Sequence, residues 1–269
     1  MTGAQLRLKA ASPSRYCTGR YTFTQTFHVQ PVTCPDRAQA ARGGQCDRCS
    51  QRDEFRLAHH AHRSSLPPPA LAAYLSQPHW LYLATFAHGL TKVGTAAAPR
   101  RRSRLDEQAA MCATYLAQAP NGTEVRVLED AVSQQMRLPQ TSRTTAKAHG
   151  LLSPDPSRMR ELHEQAIAEA VNVLAGLGIA ADPQPWCPPA DSIALLSPPA
   201  TDARSPYPHD LREGQHGFTI KACAGSVALI SIAGHHATQY VIDLSRLEGR
   251  RVTFGDYASP PASIQTLLF

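Results

Sequence analysis

Four cysteines fall within the first 49 residues of the chain, in a segment with little else to fold around. Cys17, Cys34, Cys46 and Cys49 sit among Gly19, Pro31, Pro35, Gly43 and Gly44, and apolar periodicity is poor there. A segment of this kind needs a cross-link to become ordered. Cys46-Asp-Arg-Cys49 has the two-residue gap with which two thiolates grip one tetrahedral ion from a tight turn. Cys17 and Cys34 are the natural second pair, so one structural zinc on the four is expected. The alternative is four reduced thiols in an unstructured arm, with His28, His59, His60 and His62 as spare ligands.

No run approaches the ~18 apolar residues of a membrane span, and the opening MTGAQLRLKAASPSRYC lacks the apolar core of a secretory signal. A cytoplasmic protein with no membrane partner is therefore expected. Its seven cysteines are read as thiols or ligands rather than disulfides. The net charge of +6 and pI near 9.1 favour a polyanionic partner.

Composition divides the 269 residues into four parts. Residues 1–65 are the cysteine-rich region, and LPPPALAAYLSQP reads as an extended linker after it. Residues 76–180 hold a mixed core. In it, WLYLATF and LTKVGT form a hairpin about His88-Gly89. A helix from about Pro99 to Ala113 and a strand CATYLAQAP follow. TEVRVLEDAVSQQMRL is an amphipathic helix with Val125, Leu128, Val132 and Met136 on one side. A longer helix, about Ser157 to Leu177, buries Leu162, Ala166, Ala170, Val173 and Leu177. Residues 183–215 are a Pro-rich linker or insertion. Residues 216–269 give four short strands broken at Gly225, Gly234 and Glu248-Gly249, with His235-His236 in a turn and no ligand role.

The order β-β-α-β-α, with WLYL, TKVG, Arg104 and VRVLED in sequence, resembles the GIY-YIG nucleases over about Trp80 to Pro139. It is similar in particular to an actinobacterial-type branch with a cysteine-rich front end, KVG in place of YIG, and a motif like RLDEQAA, Arg104 to Ala110. The fold expected is α+β: a small GIY-YIG-like core, an N-terminal zinc-binding arm and a small C-terminal antiparallel β unit. The resemblance implies that Tyr82 activates water, Arg104 stabilises the phosphate and Glu129 holds Mg²⁺ or Mn²⁺. Trp80 stands where the glycine of GIY belongs, and Lys92 where the tyrosine of YIG does. An ammonium there can bind phosphate, and serves as a base only if burial depresses its pKa.

Arg100, Arg101 and Arg102 precede Arg104 at the start of a helix, where cations oppose the positive end of the helix dipole. An anion would reverse that cost, so the run is read as phosphate-binding, with a solvated charge cluster as the alternative. Three functions remain open from sequence: a GIY-YIG-like endonuclease on DNA or RNA, a non-catalytic nucleic-acid-binding protein, and an enzyme on a small molecule using the same scaffold.

Overall fold

The chain enters as a strand, β1 (Gln5–Arg15), where Leu6, Leu8 and Ala10 alternate with Arg7 and Lys9 and so give one apolar and one charged face. The computed structural model describes residues 2–23, 29–40, 44–56, 58, 67, 69–199, 204–234 and 238–261; His28, His59, His60, His62 and the His235-His236 turn lie outside them. After β1 come the hairpin of β2 (Arg20–Phe23) and β3 (Val29–Val32), then the short helix α1 (Asp47–Gln51). The stretch expected to be an extended linker contains a helix, α2 (Pro69–Leu75), that buries Leu71, Tyr74 and Leu75. Proline suits a first helical turn, where its missing N–H has no partner to lose.

The central elements follow in the expected order: β4 (His79–Thr85), β5 (Thr91–Ala97), α3 (Arg101–Asp106), β6 (Cys112–Ala119) and α4 (Gly122–Gln135). The β4–β5 turn places Gly89 at a φ of 85°, a conformation that favours glycine. α3 stops at Asp106 rather than near Ala113, and Ala109 at a φ of 55° then redirects the chain into β6. Period-two alternation splits β4 between two cores. Leu81 and Leu83 join Val93, Leu116, Val125 and Val132 on one face, while Tyr82 and Ala84 join Phe86, Leu105 and Tyr115 on the other.

Beyond α4 lie α5 (Thr144–Gly150), α6 (Pro156–Gly176), β7 (Gln184–Pro185), α7 (Ala190–Leu196) and β8 (Ser205–Pro206). β7 completes the sheet order β5-β4-β6-β7. The buried face of α6 is Met159, His163, Ala170 and Leu174, whereas Leu177, expected inside, is 43% exposed. His163 bridges Thr85 and Thr114 through its two ring nitrogens (2.8 and 2.9 Å), tying α6 to β4 and β6. Burial holds its pKa down to about 4, so the bridge is made by a neutral ring. The Pro-rich segment is pinned rather than loose: the Arg204 guanidinium donates to the carbonyls of Leu151, Ala194, Leu195 and Ser197 at 2.6–3.0 Å. It thereby satisfies carbonyls at the ends of α5 and α7.

The last strands are β9 (Gln215–Ala224), β10 (Val227–Ser231), β11 (Tyr240–Asp243) and β12 (Arg250–Phe254), with breaks where the glycines predict them. They do not form a sheet of their own. β1 inserts between β9 and β12, Leu8 opposing both His216 and Phe254, in the order β12-β1-β9-β10-β11-β8. The β8–β11 pair is parallel, so this larger sheet is mixed. The apolar alternation of β1 continues that of Phe218 and Ile220, which unites the first and last segments of the sequence in one layer.

Candidate functional site

Three chain segments deliver the cysteines: Cys17 leaves β1, Cys34 follows β3, and Cys46 and Cys49 open α1. Their sulfurs all lie within 4.8 Å of one another, a cluster that can hold a metal ion. Thiolates about 2.3 Å from a tetrahedral ion are ~3.8 Å apart, and Cys34 Sγ is 3.9 Å from Cys46 Sγ. The backbone suits anionic sulfur at Cys17 and Cys34, whereas burial and the neighbouring sulfurs push Cys49 up to about 12. Gly19 N–H donates to Cys17 Sγ at 3.3 Å, and the N–H groups of Ala38 and Asp36 hold the Cys34 thiol down to about 7.

A second site lies along the β5 edge of the four-stranded sheet. α3 packs on one face through Leu105 and α4 on the other through Val125 and Val132. At the edge they meet over a cleft of about 430 Å³ lined by Arg100 from the turn that leads into α3, Arg104 from α3 and Arg126 from α4. Arg100 pairs with Glu107 at 2.8 Å and Arg126 with Glu129 at 2.5 Å. Arg104 has no carboxylate partner among the described residues and lies against the Tyr82 hydroxyl.

Beneath the cleft are the other residues singled out from sequence. Tyr82 is fully buried, and Gly94 faces it across the hairpin: a Cβ there would come within 2.5 Å of its hydroxyl. The glycine of TKVG therefore makes room for the Tyr82 ring. Burial pushes the Tyr82 phenol up. Lys92, only 5% exposed, stands 5.8 Å from the Tyr82 ring centre and has no hydrogen-bond acceptor among the described residues. Burial first, then Arg104 and Lys147, holds its pKa down to about 7, against the pull of Glu129. Glu129 is 3% exposed, and burial raises its carboxyl although Arg126 and Lys92 oppose the rise.

Two neighbours were not found from sequence. Lys147 of α5 donates to the Gln108 carbonyl at 2.8 Å, and burial holds it down to about 8. Gln108 in turn donates its side-chain amide to the Tyr82 hydroxyl at 3.4 Å. Three arginines thus line the cleft, with Lys92 and Lys147 buried within electrostatic reach of Arg104, against the carboxylates of Glu107 and Glu129.

Tyr82, Lys92, Arg104 and Glu129 are brought together, but the arginine run is divided. Arg100 and Arg104 reach the cleft. Arg101 does not: its guanidinium is sandwiched 3.9 Å from the Trp80 ring and 4.0 Å from the Tyr115 ring, and it donates to Gln184. Arg102 faces solvent beside Asp106, 3.6 Å away. A six-residue helix presents successive side chains about 100° apart, so four arginines in five positions cannot share one face. Glu129 likewise differs from an open metal ligand, being enclosed and already ion-paired.

The molecule is thus an α+β protein with a four-cysteine centre able to hold a metal and a separate cationic cleft at a sheet edge. The family model described as "Protein of unknown function (DUF2797)" matches residues 5–174, more than half of the chain, and the chain belongs to that family. The match takes in β1, the cysteine centre and the cleft, and ends inside α6, before β9 to β12. No curated protein and no solved structure matches the chain. No helix among the described residues is long and apolar enough to cross a membrane.

Proposed function

We propose that this protein binds nucleic acid by its phosphates in the β5-edge cleft, and that the four cysteines hold a structural zinc ion. One observation carries the reading: Arg104, with no carboxylate partner among the described residues, lines the cleft and lies near enough to the buried Lys92 to help hold its pKa down. At Lys92 the repulsion from Arg104 and Lys147 outweighs the attraction of Glu129, and a phosphate bound at Arg104 lowers that cost. A GIY-YIG-like core is supported by the order β4-β5-α3-β6-α4 and by Gly94 seated under Tyr82.

Binding is favoured over cleavage. A magnesium or manganese ion on Glu129 does not fit the residues present, because the carboxylate is enclosed, bonded to Arg126 and neighboured by Lys92. Mg²⁺ also keeps most of its waters, which an enclosed side chain leaves no room for. One feature points toward chemistry: with a pKa near 7, Lys92 can accept a proton at neutral pH, which an ordinary lysine cannot.

The test is affinity for labelled DNA and RNA oligonucleotides across a salt series starting near ~50 mM, with wild type and Arg104→Ala. Affinity is expected to fall linearly on a log-log plot, and the variant to bind roughly tenfold more weakly with a shallower slope. It is also expected to fall between about pH 6 and 8 as Lys92 loses its proton, because the bound anion favours the protonated form. Absence of binding at low salt overturns the reading and leaves the small-molecule enzyme. Divalent-dependent cleavage abolished by Glu129→Ala would restore the nuclease.

A further inference from the structure

The lining of the cleft is aromatic as well as cationic. Tyr21 of β2, Phe55, Tyr74 of α2 and His79 of β4 all line it. They touch in series: Tyr21 to Phe55 at 6.2 Å between ring centres, Phe55 to Tyr74 at 6.0 Å, and Tyr74 to His79 at 5.6 Å. Tyr74 and His79 are buried, and Phe23 packs behind Tyr74 at 4.9 Å, so this end of the run is core. Tyr21 is different. It is 47% exposed, although its backbone is fixed by Asp53, which accepts its N–H at 3.2 Å. The cleft thus has, in the same lining as Arg100, Arg104 and Arg126, an aromatic ring facing solvent and held on an ordered strand.

His79 adds a polar group to that lining. Its Nδ1 is bonded to the Gln77 carbonyl at 2.8 Å, which makes Nδ1 the protonated nitrogen, and burial holds its pKa down. Nε2 is left as an acceptor with no partner among the described residues, on a ring 5% exposed that borders the cleft. An apolar ring, a hydrogen-bond acceptor and guanidinium groups around one space match the three parts of a nucleotide: base face, base edge and phosphate.

From this juxtaposition we infer that the cleft takes an unpaired nucleotide of a single strand, its base stacked on Tyr21 and its phosphate on Arg104 and Arg126. The inference rests on the phosphate reading above and adds the state of the polymer. At about 430 Å³ the cleft has the capacity of a small-molecule site. A base inside a duplex is stacked and paired, and cannot reach Tyr21 without being extruded.

Three labelled probes of about 12 nucleotides separate the outcomes: a single strand, a duplex of equal length, and a single strand with the same phosphates but abasic sites throughout. Wild type is expected to bind the single strand roughly tenfold or more tightly than either of the others. Tyr21→Ala removes that preference and Tyr21→Phe keeps it, since phenylalanine stacks equally well. Tyr21 is half-exposed, so its truncation leaves the core in place, and an unchanged circular dichroism spectrum and melting temperature check this. Arg104→Ala weakens all three probes alike. If wild type binds the abasic strand or the duplex as tightly as the single strand, or if Tyr21→Ala keeps the preference, base stacking is wrong and the phosphate reading stands. If no probe binds, both fall.

Discussion

The cysteine-rich segment and the four-stranded sheet reach order by opposite routes. Among the described residues from Cys17 to Arg56, the buried apolar side chains are Phe23 and three of the cysteines. The scaffold around them is polar: Asp53 accepts from Tyr21, Phe55 and Arg56 N–H groups and from the Gln45 amide, and Glu54 accepts from Phe23 and Thr22. Around the sheet, by contrast, Leu81, Leu83, Val93 and Leu116 of the strands and Val125 and Val132 of α4 are wholly buried in one cluster. Apolar burial stabilises in proportion to area removed from water, and the front segment has little to bury. Metal–sulfur bonds can supply there what side-chain area supplies in the sheet.

That contrast can be broken by removing the metal proposed for the four cysteines. Chelation, or Cys46→Ser with Cys49→Ser, is expected to cost on the order of 10 kcal/mol locally. Hydrogen exchange should accelerate across residues 17–56 while β4, β5 and β6 stay protected; equal loss in both regions would show one cooperative unit. Next in size, Leu116→Ala should destabilise the sheet by about 2–5 kcal/mol in denaturant titration. Metal content measured on the folded variant should not change, and a lower metal stoichiometry would mean that the two regions are energetically coupled.

The smallest expected effect has the opposite sign. Lys92 ionises near 7 in the fold against an ordinary 10.5, so the unfolded chain holds that proton more tightly and the buried ammonium opposes folding. The penalty is complete below about pH 7 and fades as pH rises toward 10.5. Lys92→Met is therefore expected to raise stability by about 1 kcal/mol or more near pH 6, or ~2–4 °C in melting temperature, and to gain nothing near pH 10.5. Equal gains at both pH values would mean that Lys92 is not strained by its surroundings. Anion binding should weaken in the same variant, so stability and affinity move apart.

Elements whose pattern is local were legible. The hairpin, β6, α4 and the breaks between β9, β10, β11 and β12 follow from alternation, helical spacing and glycine. The membership of β1 was not, because Ser12, Pro13 and Ser14 mask the Leu6, Leu8, Ala10 alternation and its partners lie far along the chain. The cysteine cluster was readable because ligand spacing is a local signal. The aromatic lining was hidden, since Tyr21, Phe55 and Tyr74 lie in segments read as arm and linker and converge only in the fold. His163 was displaced by a stripe set one residue out of phase along α6. The Glu129 assignment located the residue near Tyr82 and Lys92, and the one-turn spacing of Arg126 offered the ion pair the two form; what a sequence does not report is that this pair is enclosed rather than solvated.

The insertion of β1 between β9 and β12 has a consequence for synthesis. Gln5 pairs with Thr219, so roughly 200 residues must be translated before the first strand finds a neighbour, about 10–40 s at ordinary elongation rates. Through that interval Leu6 and Leu8 are bare, while the four-stranded sheet, whose contacts are near in sequence, can close early. Until β9 is made, β1 is an unpaired edge, the kind of surface through which incomplete chains stick to one another.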